Sequence, residues 1–203
     1  MKLLQIVSEL NVGSVGRIAE QISKEALNAG YESMIAYGRA ASSSESPSIK
    51  IGNRYNVYCH VLETRLFDSH GFGSRLSTFQ LIKKIKKISP DIVHLHHLHG
   101  YYINIFLLFR YLKSEKIPVV WTFHDCWSFT GHCAYYDYVQ CNKWKVECYS
   151  CPQKRSYPSS IILDMSRRNF LRKKELFSGH NNLSIVTVSR WLKGQTEQSF
   201  LKG

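Results

Sequence analysis

The chain has 203 residues, 44% of them hydrophobic and 21% charged, which is enough to bury one full core and too apolar for a disordered or low-complexity segment. Its 27 basic residues against 15 acidic ones leave a net charge of +12, a field that favours a polyanionic partner, either nucleic acid or an anionic membrane surface. The longest largely apolar run, Ile103 to Phe109, falls far short of the roughly 20 residues a membrane span needs. Ser8, Glu9 and Asn11 interrupt the first apolar run before a signal-peptide core could form, so a cytoplasmic location is expected.

Lys2 to Val7 reads as an apolar strand. It leads into a glycine-containing loop, Asn11 to Arg17, and a helix carried by Ile18, Ala19, Ile22, Ala26 and Leu27 that Gly30 ends. Met34 to Tyr37 reads as a second strand, Ala41 to Pro47 as a Ser-rich surface loop and Ile49 to Ile51 as a short third strand. Asn56 to Phe67 carries a helical pattern and Asp68 to Ser74 a glycine-bearing loop. Ser77 or Thr78 is then expected to cap a basic helix whose Phe79, Ile82, Ile85 and Ile88 turn inward and whose Lys83 to Lys87 run turns out. A second basic cluster runs from Arg167 to Lys174.

Ile92 to Gly100 reads as a strand with His94, His96, His97 and His99 towards its carboxyl end. A helix from Tyr102 to Ser114, a strand from Val119 to Phe123, a helix from Ser166 to Phe177, a strand from Leu183 to Val188 and a helix opening at Ser189 follow. Apolar strands alternating with helices predict an α/β fold: one three-layer, Rossmann-like domain with a mainly parallel sheet.

Ligands of such sheets sit outside the carboxyl ends of the strands. Ser8 to Arg17, His94 to Gly100 and His124 to Trp127 are therefore expected to converge at one edge. Gly13, Ser14 and Gly16 would let backbone N–H groups at a helix start approach an anion, with Arg17 adding charge, although a tight turn accounts for the same glycines. His96 and His99 read as hydrogen-bonding groups for a hydroxyl-rich substrate. A zinc on two same-face histidines lacks a nearby carboxylate in the sequence. His124, followed by Asp125 and flanked by Trp121, Phe123 and Trp127, is the strongest cleft group, against the alternative of a core histidine bonded to backbone.

Between about 126 and 158 lies a cysteine-rich stretch in which Cys133, Cys141, Cys148 and Cys151 are spaced C-x7-C-x6-C-x2-C. Three readings compete. Four thiolates could hold a structural zinc, with His132 as a substitute ligand. They could form two disulfides, which a chain without a signal peptide does not favour. They could be a redox C-x-x-C, for which no helix begins at Cys148 and Pro152 follows Cys151. Zinc is the preferred reading, and Cys59 and Cys126 read as buried hydrophobes.

Several features in order resemble the N-terminal half of a family 4 glycosyltransferase: the first strand with its glycine loop, Pro90-Asp91-Ile92-Val93-His94-Leu95-His96, Thr122-Phe123-His124-Asp125, and Val186-Thr187-Val188-Ser189-Arg190-Trp191-Leu192. The resemblance covers nearly the whole chain, and Trp127 to Pro152 is similar to a subgroup of these enzymes. It implies the N-terminal domain of a retaining GT-B enzyme of surface-polysaccharide synthesis, with residues 1–203 binding a glycan or lipid-linked acceptor. It also implies that His124 stands beside the transferred sugar and that Gly13, Ser14 and Gly16 lie near the phosphates of a nucleotide-sugar donor. The glycine loop departs from the commoner Gly-Gly form.

The family carries a paired-glutamate E-x7-E motif in its C-terminal, donor-binding domain. No two glutamates here stand eight positions apart, so that domain is expected to lie outside this chain, which alone would be inactive. The basic helix would suit docking to an anionic membrane at the inner face of the plasma membrane. The runner-up is a zinc-containing nucleic-acid-binding module, weakened by basic residues spread over separate helices. A stand-alone carbohydrate-binding domain is the third reading.

Overall fold

The computed structural model describes residues 1–202. Its strands are β1 (Lys2–Val7), β2 (Glu32–Tyr37), β3 (Ser48–Lys50), β4 (Ile92–Leu95), β5 (Val119–Phe123) and β6 (Leu183–Thr187). Its helices are α1 (Gly13–Asn28), α2 (Arg54–Phe67), α3 (Arg75–Ile88), α4 (Ile105–Ser114), α5 (Ser166–Phe177) and α6 (Arg190–Glu197). The strands pair in parallel throughout, in the order β3-β2-β1-β4-β5-β6. Among the described residues no helix is long and apolar enough to cross a membrane.

Strand β1 is buried on both faces, which is why it reads as an unbroken apolar run. Leu4 and Ile6 point into the larger core with Leu81, Ile85, Leu108 and Phe109, whereas Val7 packs with Val15, Ala19 and Ile35 under α1. Helices thus cover both faces of the sheet and make three layers. From β1 the chain crosses to β2 on one side, and from β4 to β5 on the other. The order therefore reverses between β1 and β4, and a crevice opens beyond their carboxyl ends.

Five expectations are corrected. The glycine loop is the first turn of α1: Gly13 lies at φ +65, and a Cβ on buried Gly16 would sit 2.7 Å from the Glu9 carbonyl, so only glycine lets the helix start this close to the strand end. Strand β4 stops at Leu95, which leaves His96, His97 and His99 in the following loop. Helix α3 starts at Arg75, so Ser77 and Thr78 lie buried inside it and do not cap it. Thr78 Oγ1 instead accepts from the Asn104 N–H and donates to the Ser74 carbonyl. Phe79 and Cys59 are exposed, and Leu81 replaces Phe79 on the inward stripe of α3.

Residues 126–158 hold three short 3-10 turns, Trp127–Phe129, Asp137–Val139 and Lys143–Lys145. What orders them is aromatic packing: Tyr136 stacks on Trp144 at 4.6 Å, and Phe129 lies 5.3 Å from the Trp144 ring.

Candidate active site

Because β1, β4 and β5 are parallel neighbours, their carboxyl ends deliver Ser8–Glu9, His96–Gly100 and His124–Asp125 to one edge of the sheet. Gly100, at φ +121, carries the β4 loop past Ser8 and Arg39. At this edge His124 is half-buried and lies with its Nε2 3.3 Å from His96 Nδ1.

The relay behind His124 starts in the sheet. Gln5, a polar residue inside an apolar strand, donates from Nε2 to the Ala19 carbonyl of α1 at 2.8 Å. Its Oε1 is thereby turned towards His96 Nε2, 3.1 Å away, which must carry the proton. Burial, and after it the neighbouring His94, His124 and His97, pushes His96 down to about 2, so it is neutral. Neutral His96 then accepts at Nδ1 from His124 Nε2–H. Burial also lowers His124 against the raising effect of Asp125, leaving a neutral imidazole with Nδ1 as acceptor. His94 is held separately by Thr122 Oγ1 at 2.8 Å and lowered by burial to about 4.

A second group surrounds Asp125. Its Oδ2 lies 2.6 Å from His99 Nε2 and 3.4 Å from His97 Nε2, and its Oδ1 accepts from the Trp127 N–H. Burial pushes the carboxyl up, but the two histidines and the Trp127 N–H outweigh it and hold it below the ordinary carboxylate value. The three donor atoms lie within 4.8 Å of one another, so β5 supplies the carboxylate that the sequence around the histidines lacks. Hydrogen bonds already use both oxygens, and His99 Nδ1 meets Tyr157 Oη at 3.0 Å. The arrangement is that of an oriented polar wall.

The profile of Glycosyltransferase Family 4 matches residues 15–200. The chain belongs to glycosyltransferase family 4. Its curated relative, the putative colanic acid biosynthesis glycosyl transferase WcaC of Escherichia coli (strain K12), is 30% identical over 189 residues, 87% of this chain and 45% of that protein. The chain thus spans less than half the length of the curated relative it matches. Among solved structures, the glycosyltransferase VinC in complex with dTDP is similar at 13% identity over 91% of this chain and 49% of its own, with a TM-score of 0.41. The Streptomyces sp. SF2575 glycosyltransferase SsfS6 is similar at 13% identity over 62% of this chain and 40% of its own, with a TM-score of 0.36.

In this family 4 chain the expected site residues fall into two places. His96, His99, His124 and Asp125 meet at the carboxyl edge, and Gly13, Ser14, Gly16 and Arg17 form the start of α1 at the same edge, with Arg17 exposed. Cys133, Cys141, Cys148 and Cys151 gather apart from them around one small cavity that His132 also lines. All four are free thiols. Sequence reasoning missed Gln5, Tyr157 and Lys173. For Gln5 the signal was present, since a lone amide inside a strand buried on both faces must be hydrogen-bonded. Lys173, read as part of a basic surface, is in fact buried: its Nζ donates to the Trp127 and Thr130 carbonyls and lies 3.4 Å from the Trp127 ring centroid.

Proposed function

We propose that residues 1–203 are the acceptor-side half of a retaining glycosyltransferase with GT-B architecture, which moves a sugar from a nucleotide-sugar donor to a glycan or lipid-linked acceptor in surface-polysaccharide synthesis. The observation that carries this reading is the convergence, outside the β1–β4 reversal, of a half-buried neutral histidine, a histidine–aspartate wall and the N-terminus of a helix. The membership in family 4 and the role in colanic acid biosynthesis given to the relative WcaC support it.

The chemistry follows from the groups. The bond from the anomeric carbon to the donor diphosphate breaks, and the departing phosphate gains charge that the α1 N–H groups and Arg17 help to offset. The acceptor hydroxyl forms the new glycosidic bond and passes its proton to the departing phosphate. His124 Nδ1 is placed to orient a sugar hydroxyl, His97 and His99 hold Asp125 beside it, and closure against a donor-binding half excludes water. Within its full-length protein this chain should release nucleoside diphosphate from a UDP-, GDP- or dTDP-linked sugar only when acceptor is present. Residues 1–203 alone should release none, and robust turnover by them would overturn the division into halves.

An anionic membrane is the proposed location of that acceptor. On α2, Tyr55, Tyr58 and Leu62 form an exposed stripe at i, i+3 and i+7 that Arg65 extends, and α3 turns Lys83, Lys84 and Lys87 outward with Leu76 exposed. Apolar rings beside cations suit a negatively charged headgroup layer. The chain should sediment with vesicles containing phosphatidylglycerol, less so at high salt, and Tyr55→Ser with Tyr58→Ser should reduce the bound fraction severalfold. Equal binding to neutral phosphatidylcholine vesicles would remove the charge argument.

A further inference from the structure

We infer that the cysteine-rich segment holds a structural zinc ion on Cys133, Cys141, Cys148 and Cys151, and that the Asp68–His132 pair belongs to its outer shell. The four cysteines, 18 residues apart at most in the sequence, surround a cavity of about 10 Å³, room for about one water-sized body. None of them is paired as a disulfide. The Gly131 N–H already donates to Cys148 Sγ at 3.3 Å, the kind of contact a metal thiolate accepts from backbone.

Independent observations point to negative charge in that cavity. His132 and Trp144 both line it, and each has a buried nitrogen, Nε2 and Nε1 respectively, without a hydrogen-bond partner. Buried unpartnered polar atoms call for an explanation. Trp144 Nε1–H is of the right kind to donate to thiolate sulphur, and His132 Nε2 lies at the same cavity. Asp68 Oδ1 holds the other nitrogen of His132 at 2.6 Å, which fixes the ring as carboxylates fix histidines around metal sites. Next to the cavity, Lys173 is buried and has no carboxylate within 4.0 Å among the described residues. Four thiolates around a dication carry a net charge of about −2, which a protonated Lys173 would offset.

Loading the site requires the thiols to give up their protons and close by side-chain rotation. Zinc–sulphur bonds of about 2.3 Å put tetrahedral sulphurs roughly 3.8 Å apart. The one three-donor cluster already within 4.8 Å among the described residues is His97, His99 and Asp125, and it is the natural competitor. The consequence of a loaded cysteine site would be mechanical. It would tie the segment to Asp68 at the end of α2 and, through the bond from Cys151 N–H to Asp164, to the start of α5, steadying the stretch that presents Tyr157 to His99.

The test is elemental analysis of the full chain, purified without a histidine tag under reducing conditions and supplied with zinc alone. About one zinc per chain is expected. It should be lost in Cys148→Ser with Cys151→Ser, kept in His97→Ala with His99→Ala, and bound roughly 10- to 100-fold more weakly in His132→Ala. Should the cysteine variant fail to fold, cobalt added to the unmutated chain decides, because four thiolates give sulphur-to-cobalt charge-transfer bands and a histidine–carboxylate site does not. Metal that leaves with His97 and His99, cobalt without those bands, two disulfides, or no metal with four reactive thiols would each overturn the assignment. Since metal content needs no sugar transfer, its outcome is separate from that of the glycosyltransferase reading.

Discussion

In the full-length protein His124→Ala should lower kcat by roughly 10²-fold or more while leaving the melting temperature within a few degrees of the parent. His124 stands at the end of β5, half-buried, where it bonds only to His96 among the described side chains, so its removal costs the core little. What it removes is an oriented neutral imidazole at the point where the histidine wall and the start of α1 meet. The relay through Gln5 and His96 makes Nε2 its donor and leaves Nδ1 as the acceptor. Burial holds the group below its ordinary value of 6.5, so it is uncharged at neutral pH. The kcat of the parent should therefore be flat in this group above about pH 6.5 and fall as acid protonates it. A variant that keeps kcat within a factor of about three would show that His124 is a structural neighbour of the cleft. A loss confined to KM would assign it to binding alone.

Much of this architecture was legible in the sequence because its strands are short, apolar and separated by helices with clear stops. Gly30 and Ser189 mark boundaries that the backbone respects. The carboxyl-edge position of His124 was legible for the same reason, since a strand end in a parallel sheet has one place to go. Which side chains meet there was not. His99 and Asp125 are 26 residues apart, and His132 and Asp68 are 64 apart, so neither pair leaves a trace in local spacing. Lys173 shows the converse failure. In a run of arginines and lysines the bland reading is a solvated face, yet two carbonyls freed by the turn at Trp127–Phe129 and the face of Trp127 make a buried socket for one ammonium. The cysteine spacing announced a cluster, and the sequence alone offered no sign of the carboxylate on α2 that sits behind it.

That carboxylate should be among the most costly side chains to remove. Asp68 ends α2 in a left-handed conformation, and it is fully buried. Its Oδ1 takes the Nδ1 bond of His132 at 2.6 Å, its Oδ2 accepts the Met165 N–H at 2.8 Å, and its carbonyl accepts from the Asn169 side chain. One residue thus joins the end of α2, the cysteine-rich segment and the first turns of α5, elements that no strand pairing connects. Burial works against the charge on His132, but the bond to Asp68 and its charge outweigh that and raise His132 above its ordinary value. Where His132 is protonated the pair is an ion pair, and both side chains lie out of water. Removing one partner from such a pair leaves the other unsatisfied and costs about 3–5 kcal/mol, so Asp68→Ala should melt roughly 6 to 20 °C below the parent. Asp68→Asn should fall between the two: the amide keeps the shape and tolerates the left-handed backbone, but one of its two ends must present N–H groups to a donor. Because Asp68 makes no hydrogen bond to Gln5, His96 or His124 among the described residues, single turnover measured well below the melting temperature should suffer far less than stability. A melting temperature within about 2 °C of the parent for Asp68→Ala would mean that the segment is held by its aromatic stack on Trp144, with the ion pair a bystander.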